Sequence, residues 1–400
     1  MKVLVINCGS SSLKYQLLIM PSGKVVASGY AEKVGSNDSF VTHKWNGKKK
    51  KVEIPMINHE EAIQVMVDLL TCGETKVINN ISEIDAIGHR VVHGGEKFAS
   101  SVLIDSDVVR KIIECNDLAP LHNPANLIGI QSAKDIFGDV PMVAVFDTAF
   151  HQTMPQSSYM YALPYELYEK YGVRRYGFHG TSHKYVYERL CEMTGKKDLK
   201  VISCHIGSGA SICAIDKGKV VDTTMGLTPL EGLMMGTRSG DIDPAIISFV
   251  MKKENMTIEE MDTLLNKKSG LLGIYGKSND SRDVLENMKK DPRAKLANDM
   301  FEYKIVKYIG AYNAALGGCD AIIFTAGCGE NSVENRRNIL NKLEFMGIYL
   351  DEEKNNSRGK EVKISDDDSK IDVYVIPTNE ELMIAKDTYK LVKKAKKVSK

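Results

Sequence analysis

The sequence predicts a duplicated α/β fold, two mixed β-sheets flanked by helices, with a cleft between the copies. Three observations point to it. The apolar runs Val3 to Ile6 and Leu13 to Ile19 read as strands joined by a polar Gly/Ser turn. Strand-like segments come first in each half and then alternate with helical ones, the order of a mixed sheet with helices on its faces. The stretch KVISCHIGSGASICAIDKGKVV at 200–221 repeats the strand, turn, strand and turn of 2–26. A cleft between two such copies is where a ligand would sit.

The elements follow in order. A hairpin covers 2–20, strands lie near 24–30 and 39–54, and HEEAIQVMVDLLT at 59–71 has helical spacing. A strand at 84–92, helices at 105–116 and 123–136, and a strand at 140–146 complete the first half. The second half has the hairpin at 200–221, helices at 243–253, 258–267 and 293–316, and a strand at 320–325 that runs into AGCGENS and a helix. The last segment, 379–397, is amphipathic, with Leu382, Ala385, Tyr389 and Val392 on one face and lysines on the other. Its lysines, and GKKKK at 47–51, read as solvated faces.

A chain of 400 residues is long for one core and suggests two or three domains, and 43% hydrophobic content is ample for burial. With 53 basic against 52 acidic residues there is no overall field to attract nucleic acid or an anionic membrane, so no nucleic-acid partner is expected. The start lacks a signal-peptide core, and the longest apolar runs, such as 140–146, fall far short of a membrane span. The expectation is a soluble, cytoplasmic protein with no membrane association. Eight scattered cysteines without a CxxC pair read as reduced, mostly buried thiols. His179 and His183 have the i, i+4 spacing of a zinc helix but lack its Glu, and Gly180-Thr181 reads as a helix start, which argues against a metal there.

Five groups of loops carry candidate chemistry. NCGSSSLK at 7–14 is longer and richer in hydroxyls than a tight turn requires. Ser10, Ser12, backbone N–H groups and Lys14 could converge there on a phosphate, though a solvated loop would read the same way. IGHRVVHGG at 87–95 places Arg90 in an apolar strand, which is costly unless it meets an anion. VAVFDTAFH at 143–151 ends a buried-type strand at Asp147. GFHGTSH at 177–183 and TPLEGLMMGTRSGDIDP at 228–244 form the fourth group, and HIGSG at 205–209 with GCGEN at 327–331 the fifth. No GxxxxGK[ST] is present, and neither glycine pair has the third glycine of a dinucleotide fingerprint. Gly/Ser turns on strand ends, two isolated arginines, an Asp and a His suit phosphoryl transfer by positioning and charge neutralisation.

These strings resemble the acetate kinase family. VLVINCGSSSLK and IGHRVVHGG match its two signature patterns, and the likeness runs on through FDTAFH, GFHGTSH, TPLEGLMMGTRSGDIDP, GCGEN and VIPTNEELMIA. The resemblance implies two ribonuclease-H-like domains of the actin-like ATPase fold. These would be 1–150 with a C-terminal helix at about 383–400 on the acetate side, and 151–382 on the nucleotide side. It also implies ATP plus acetate giving ADP plus acetyl phosphate, Mg²⁺ with Mn²⁺ as an alternative, and a homodimer.

By matching motif, the resemblance assigns Asn7 and Glu380 to the metal and Lys14 to nucleotide. Arg90 would hold the carboxylate, Asp147 would be the catalytic acid, and His179 with Arg238 would stabilise the transition state. His205, Ile206, Gly207, Ser208 and Gly209 would wrap the nucleotide with Asp280, Ser281, Arg282, Gly327, Cys328, Gly329, Glu330 and Asn331. Val92, Leu121, Phe178 and Pro229 match the methyl pocket, with His122 beside it. His89, His93, His151 and His183 are expected in structural, hydrogen-bonded roles. A carboxylate nucleophile is already ionised at neutral pH, so Asp147 is expected to orient an arginine or a metal-bound water and not to remove a proton. HIGSG stands where the family commonly has HLGNG, so Ser208 replaces a longer amide. Propionate or butyrate kinase is the near alternative, and a non-catalytic nucleotide sensor on the same fold is the one from another class.

Overall fold

The computed structural model describes residues 1–398. It divides into two compact units, Met1–Phe150 together with the segment from Asn379 onward, and His151–Thr378. Residues 379–382, read above as the end of the second domain, begin the closing segment of the first unit. That segment forms the helix Glu380–Val398, and residues 399 and 400, expected in the same helix, lie outside the described residues.

Eight strands make the first sheet: β1 (Lys2–Gly9), β2 (Ser12–Ile19), β3 (Lys24–Glu32), β4 (Phe40–Trp45), β5 (Lys48–Glu53), β6 (Ala86–Val91), β7 (Val102–Leu103) and β8 (Met142–Phe146). Their order is β5-β4-β3-β2-β1-β6-β8-β7, with β1, β6 and β8 mutually parallel. The period of two decides the faces of β1. Leu4 and Ile6 pack with Ala62, Ile63 and Met66 of the helix His59–Thr71, whereas Val3 and Val5 pack with Ile384, Ala385 and Val392 of the C-terminal helix. That helix lies directly on β6, because a Cβ at Gly88 would come within 2.5 Å of Thr388 Oγ1. The segment expected as one strand at 39–54 is a hairpin, β4 and β5, turned at Asn46-Gly47, where both residues have positive φ. Its outer strand carries four exposed lysines along the sheet edge, a placement that blunts pairing with other chains.

The second unit holds β9 (Lys200–Ile206), β10 (Ala210–Asp216), β11 (Lys219–Thr223), β12 (Ala321–Thr325), β13 (Val362–Lys363) and β14 (Asp372–Val375). Their order is β11-β10-β9-β12-β14-β13, with β9, β12 and β14 parallel. The run β3-β2-β1-β6-β8 therefore repeats as β11-β10-β9-β12-β14, and the duplication seen in the sequence is a duplication of topology. All eight cysteines are free, and Cys8, Cys115, Cys204, Cys213 and Cys319 are buried. Among the described residues no helix is long and apolar enough to cross a membrane.

Two of the expected loops are not loops. The β1–β2 ladder runs through to Gly9 and Ser12, so only Ser10 and Ser11 turn, and Asn7 faces Lys14 across the register. GCGEN is part of a helix, Ala326–Asn331, which starts as soon as β12 ends. Ala326 opens it at φ 64, a left-handed value rare for a residue with a Cβ. The Glu330 side chain folds back to accept from the Ala326 N–H at 2.7 Å, which supports that start.

Candidate functional site

In the first unit, three consecutive parallel strands deliver Asn7, Arg90 and Asp147 to the same end of the sheet. The ladder sets Ile6 opposite His89 and Val91 opposite Phe146, and the Asp147 N–H donates to the Val91 carbonyl at 3.1 Å. Carboxyl ends of parallel strands are the usual ligand side of such sheets. Arg90 Nε donates to both Asp147 oxygens at 3.1 Å, its Nη2 donates to Asp147 Oδ2 at 2.5 Å, and its Nη1 reaches Asn7 Oδ1 at 3.3 Å. The guanidinium fork is thus fixed along one edge by a carboxylate that is 1% exposed. Burial alone would lower the Arg90 pKa, but the Asp147 charge, with Glu380 and Glu381 adding, holds it above its ordinary value. Both Asp147 oxygens thus accept from one arginine, and the guanidinium is held by them.

Glu380 opens the C-terminal helix next to this pair. Burial pushes its carboxyl up to about 7; Arg90 and Lys14 oppose the shift, and Asp147 and Glu381 add to it. Lys14, expected on a nucleotide, forms an ion pair with Glu381. The oxygens of Asn7 and Glu380 are the hard donors that Mg²⁺ or Mn²⁺ takes, and a carboxyl held up by burial among other acids is a site that a cation would relieve. No cluster of three His, Cys, Asp or Glu side chains that could hold a metal ion occurs among the described residues. Val92 is buried, and its N–H donates to Asn126 Oδ1 at 3.0 Å, whereas Leu121 is 68% exposed and His122 begins the helix Asn123–Phe137. Phe178 and Pro229 belong to the second unit, so the four expected pocket residues are not gathered within either unit.

In the second unit His179 precedes the helix Gly180–Thr194 with φ 58, and its ring stacks on His205 with centroids 4.1 Å apart. Gly209 has no side chain where these groups meet: its Cβ position would lie 3.6 Å from both His179 Nε2 and Arg238 Nη1. Burial lowers the Arg238 pKa from its ordinary value. Its loop, 228–244, is held at several points. Arg175 donates to Glu231 at 2.6 Å, Tyr161 also bonds Glu231, and Asp241 accepts from Tyr308 and from the Gly232 N–H. Gly240 sits at φ 66 where a Cβ would press within 2.5 Å of two carbonyl oxygens, so no other residue fits that turn.

A cavity of about 800 Å³ opens beside the β9–β10 turn. Gly207, Ser208, Asp280, Ser281, Arg282, Gly327, Cys328 and Asn331 line it, all singled out from the sequence. Its volume is in the range of small-molecule and cofactor sites. The remaining expected contacts do not line it. His205 bonds Ser182 Oγ at 2.8 Å and Ile206 is buried. Gly209 faces His179 and Arg238, and the buried Gly329 gives its carbonyl to Arg336 Nη1 at 2.9 Å. Glu330 spends one oxygen on the Ala326 and Thr378 N–H groups.

A model of the acetokinase family matches residues 2–386. This chain belongs to the acetokinase family. It is 57% identical over 396 residues to an acetate kinase of Halothermothrix orenii, covering 98% of this chain and 100% of that protein. It is 59% identical over 398 residues to an acetate kinase of Thermoanaerobacter pseudethanolicus, covering 98% and 99%. Among solved structures, Porphyromonas gingivalis acetate kinase superposes with a TM-score of 0.94 at 50% identity, covering 98% of this chain and 99% of that one. A propionate kinase from Francisella tularensis superposes at 0.91 and 44% identity with the same coverage.

Several residues of the candidate site escaped the sequence reading. Glu381 pairs with Lys14, and Asn126 ties the Val92 N–H to the Cys8 carbonyl, fixing the segment after β6 to β1. Asn279, Glu286 and Arg358 line the cavity. For Asn126 the sequence signal would have been the amides of HNPAN at 122–126, at the start of the helix Asn123–Phe137. The Glu380 environment has a measurable consequence. A carboxyl raised from 4.5 to about 7 costs the fold stability as pH rises through that window, and the full cost is present above it. Glu380→Gln, which cannot ionise, is expected to raise the melting temperature of the metal-free protein at pH 8 by ~2–4 °C or more and to leave it unchanged near pH 4.5. Thermal melts at the two pH values check this, and an equal effect at both would contradict the assignment.

Proposed function

We propose that the chain is an acetate kinase, transferring a phosphoryl group reversibly between ATP and acetate. In this reading the first unit takes the carboxylate and the second takes the nucleotide in its 800 Å³ cavity. The observation that carries it is the oriented, fully charged Arg90 at the strand ends, in a chain of the acetokinase family. An acetate oxygen forms a bond to the γ-phosphorus of ATP while the bond to the bridging oxygen breaks, and ADP leaves with its electron pair. Two anions must meet, so repulsion is the leading obstacle. Asp147 holds the Nε/Nη2 edge of Arg90 and Asn7 takes one Nη1 hydrogen, which leaves one N–H on Nη1 and one on Nη2 for the carboxylate. Arg238 and His179, which face one point near Gly209, meet the charge on the transferred group. No base is needed, because acetate is ionised at neutral pH. Asn7 and Glu380 would hold Mg²⁺, or Mn²⁺, which supplies further neutralisation of phosphate charge when bound.

The homologous propionate kinase supports a second reading, since one methylene in an apolar pocket changes affinity by only about 1–3 kcal/mol. A homodimer is proposed on the helix Ala245–Glu254, which has no buried residue in the isolated chain and leaves Phe249 62% exposed. A cytoplasmic location fits the reduced thiols.

Trapping acyl phosphate as hydroxamate, across acetate, propionate and butyrate with ATP, tests the activity and ranks the acids. Acetate is expected to give the highest kcat/KM, and no product with any acid would overturn the reading. Ser208, exposed on the cavity wall where the family commonly has Asn, is assigned to the phosphate chain of the donor. Ser208→Ala removes one hydrogen bond to a charged group, so kcat/KM for ATP is expected to fall roughly ten- to hundredfold with little change in acetate KM. Steady-state kinetics in both substrates measures it, and wild-type behaviour toward ATP would remove Ser208 from the site.

A further inference from the structure

Behind His179 lies a chain of buried groups that the mechanism above does not use. Ser203 on β9 and Ser211 on β10 lie on one face of that ladder, since Ser211 pairs with His205 and Cys213 pairs with Ser203. Both serines are fully buried, as is His183 on the helix Gly180–Thr194. His183 Nδ1 is 2.8 Å from Ser203 Oγ, and its Nε2 is 2.8 Å from Ser211 Oγ. Ser211 Oγ is in turn 2.9 Å from His179 Nδ1. The chain therefore runs Ser203, His183, Ser211, His179, and it ends at the imidazole whose Nε2 faces the same point as Arg238 Nη1.

Counting protons restricts it to few states. Burial, with His151 and His205 adding, pushes the His183 pKa well below its ordinary value, so this ring carries one N–H. Each serine has one hydrogen to donate. If His183 donates from Nδ1, then Ser211 gives its hydrogen to His183 and its oxygen accepts from His179 Nδ1. A neutral His179 would then aim a lone pair at the point it shares with Arg238, where an anion is to be held. A doubly protonated His179 would put a second cation beside Arg238 and against the stacked His205 ring. If His183 donates from Nε2, every hydrogen bond in the chain is satisfied and a neutral His179 presents an N–H beside Arg238.

We propose that Ser203, His183 and Ser211 are positioning residues forming a one-way hydrogen-bond chain. Ser203 O–H donates to His183 Nδ1, His183 Nε2–H to Ser211 Oγ, and Ser211 O–H to His179 Nδ1, which holds a neutral His179 with Nε2–H as donor to the transferred phosphoryl group. The hydrogen bond made by one ring nitrogen decides which proton the other presents. The inference rests on the reading of His179 as a donor to phosphate.

Long-range proton–nitrogen NMR correlations on the whole enzyme report the tautomer of each imidazole, with His179 and His183 assigned from His179→Asn and His183→Asn spectra. Both rings are expected as Nε2–H tautomers from pH 6 to 8 in the wild type. Ser211→Ala is expected to move His179 toward the Nδ1–H tautomer and to lower kcat ~10–100-fold, with KM for acetate and ATP little changed. Ser211→Thr, which keeps the hydroxyl, should recover most of the loss, and Ser203→Ala should shift both readouts in the same direction by less. A wild-type His179 that is Nδ1–H or doubly protonated across that range overturns the chain. So does a Ser211→Ala enzyme that melts lower but keeps the wild-type tautomer and kcat. A wild type that forms no acyl phosphate would defeat the functional reading, while the tautomer spectrum still decides the chain.

Discussion

The ion pair between the half-buried Arg90 and the buried Asp147 is the constraint on which the first unit's site depends. Each charge alone would be expensive at the end of an apolar strand, and each is tolerable because the other meets it. Parallel pairing of β6 and β8 fixes the separation, and neither side chain need reach far. The pair also leaves a surplus: Asp147 engages the Nε/Nη2 edge of a planar fork and Asn7 one Nη1 hydrogen, and one N–H on each of Nη1 and Nη2 is left over. A lysine could balance the charge of Asp147, but it would present no second edge.

The second unit solves a different problem, that of bringing donors to one point without a buried carboxylate to hold them. Here backbone turns and side-chain hydrogen bonds share the positioning. His179 is fixed at a left-handed φ before a helix, Arg238 is carried on a loop clamped by Glu231 and Asp241, and Gly209 leaves the space that both reach. The duplicated sheet thus supplies the same strand-end platform twice. On one copy it carries a charged pair, and on the other a stack of two imidazole rings with an arginine.

The main features were legible in the sequence because they are anomalies within regular patterns. Arg90 and Asp147 are single charges in or at apolar strands, and the glycine-rich strings mark where backbone approaches closely. The misread features share a physical cause. Asn7 and Lys14 are polar strand residues facing each other across a ladder, and a polar strand end looks like a loop. GCGEN has the composition of a turn, yet it is helical because the Glu330 side chain caps its own helix start. The far wall of the cavity, with Asn279, Glu286 and Arg358, consists of polar residues in polar segments, and only tertiary packing sets them beside Gly207. Ser203 and Ser211 were hidden for the same reason: in a strand of buried residues, a serine looks like a small core residue until its partner is known.

The central claim, that Asp147 acts by orienting the Arg90 guanidinium, is tested most directly by a double-mutant cycle. Arg90→Lys, Asp147→Asn and the double variant would be compared in kcat/KM for acetate. If Asp147 works through Arg90, the two losses overlap, and the double variant falls little below the worse single one, with a coupling of about 1–3 kcal/mol. If the losses multiply, Asp147 contributes independently of Arg90, and the account of the first unit's site is wrong.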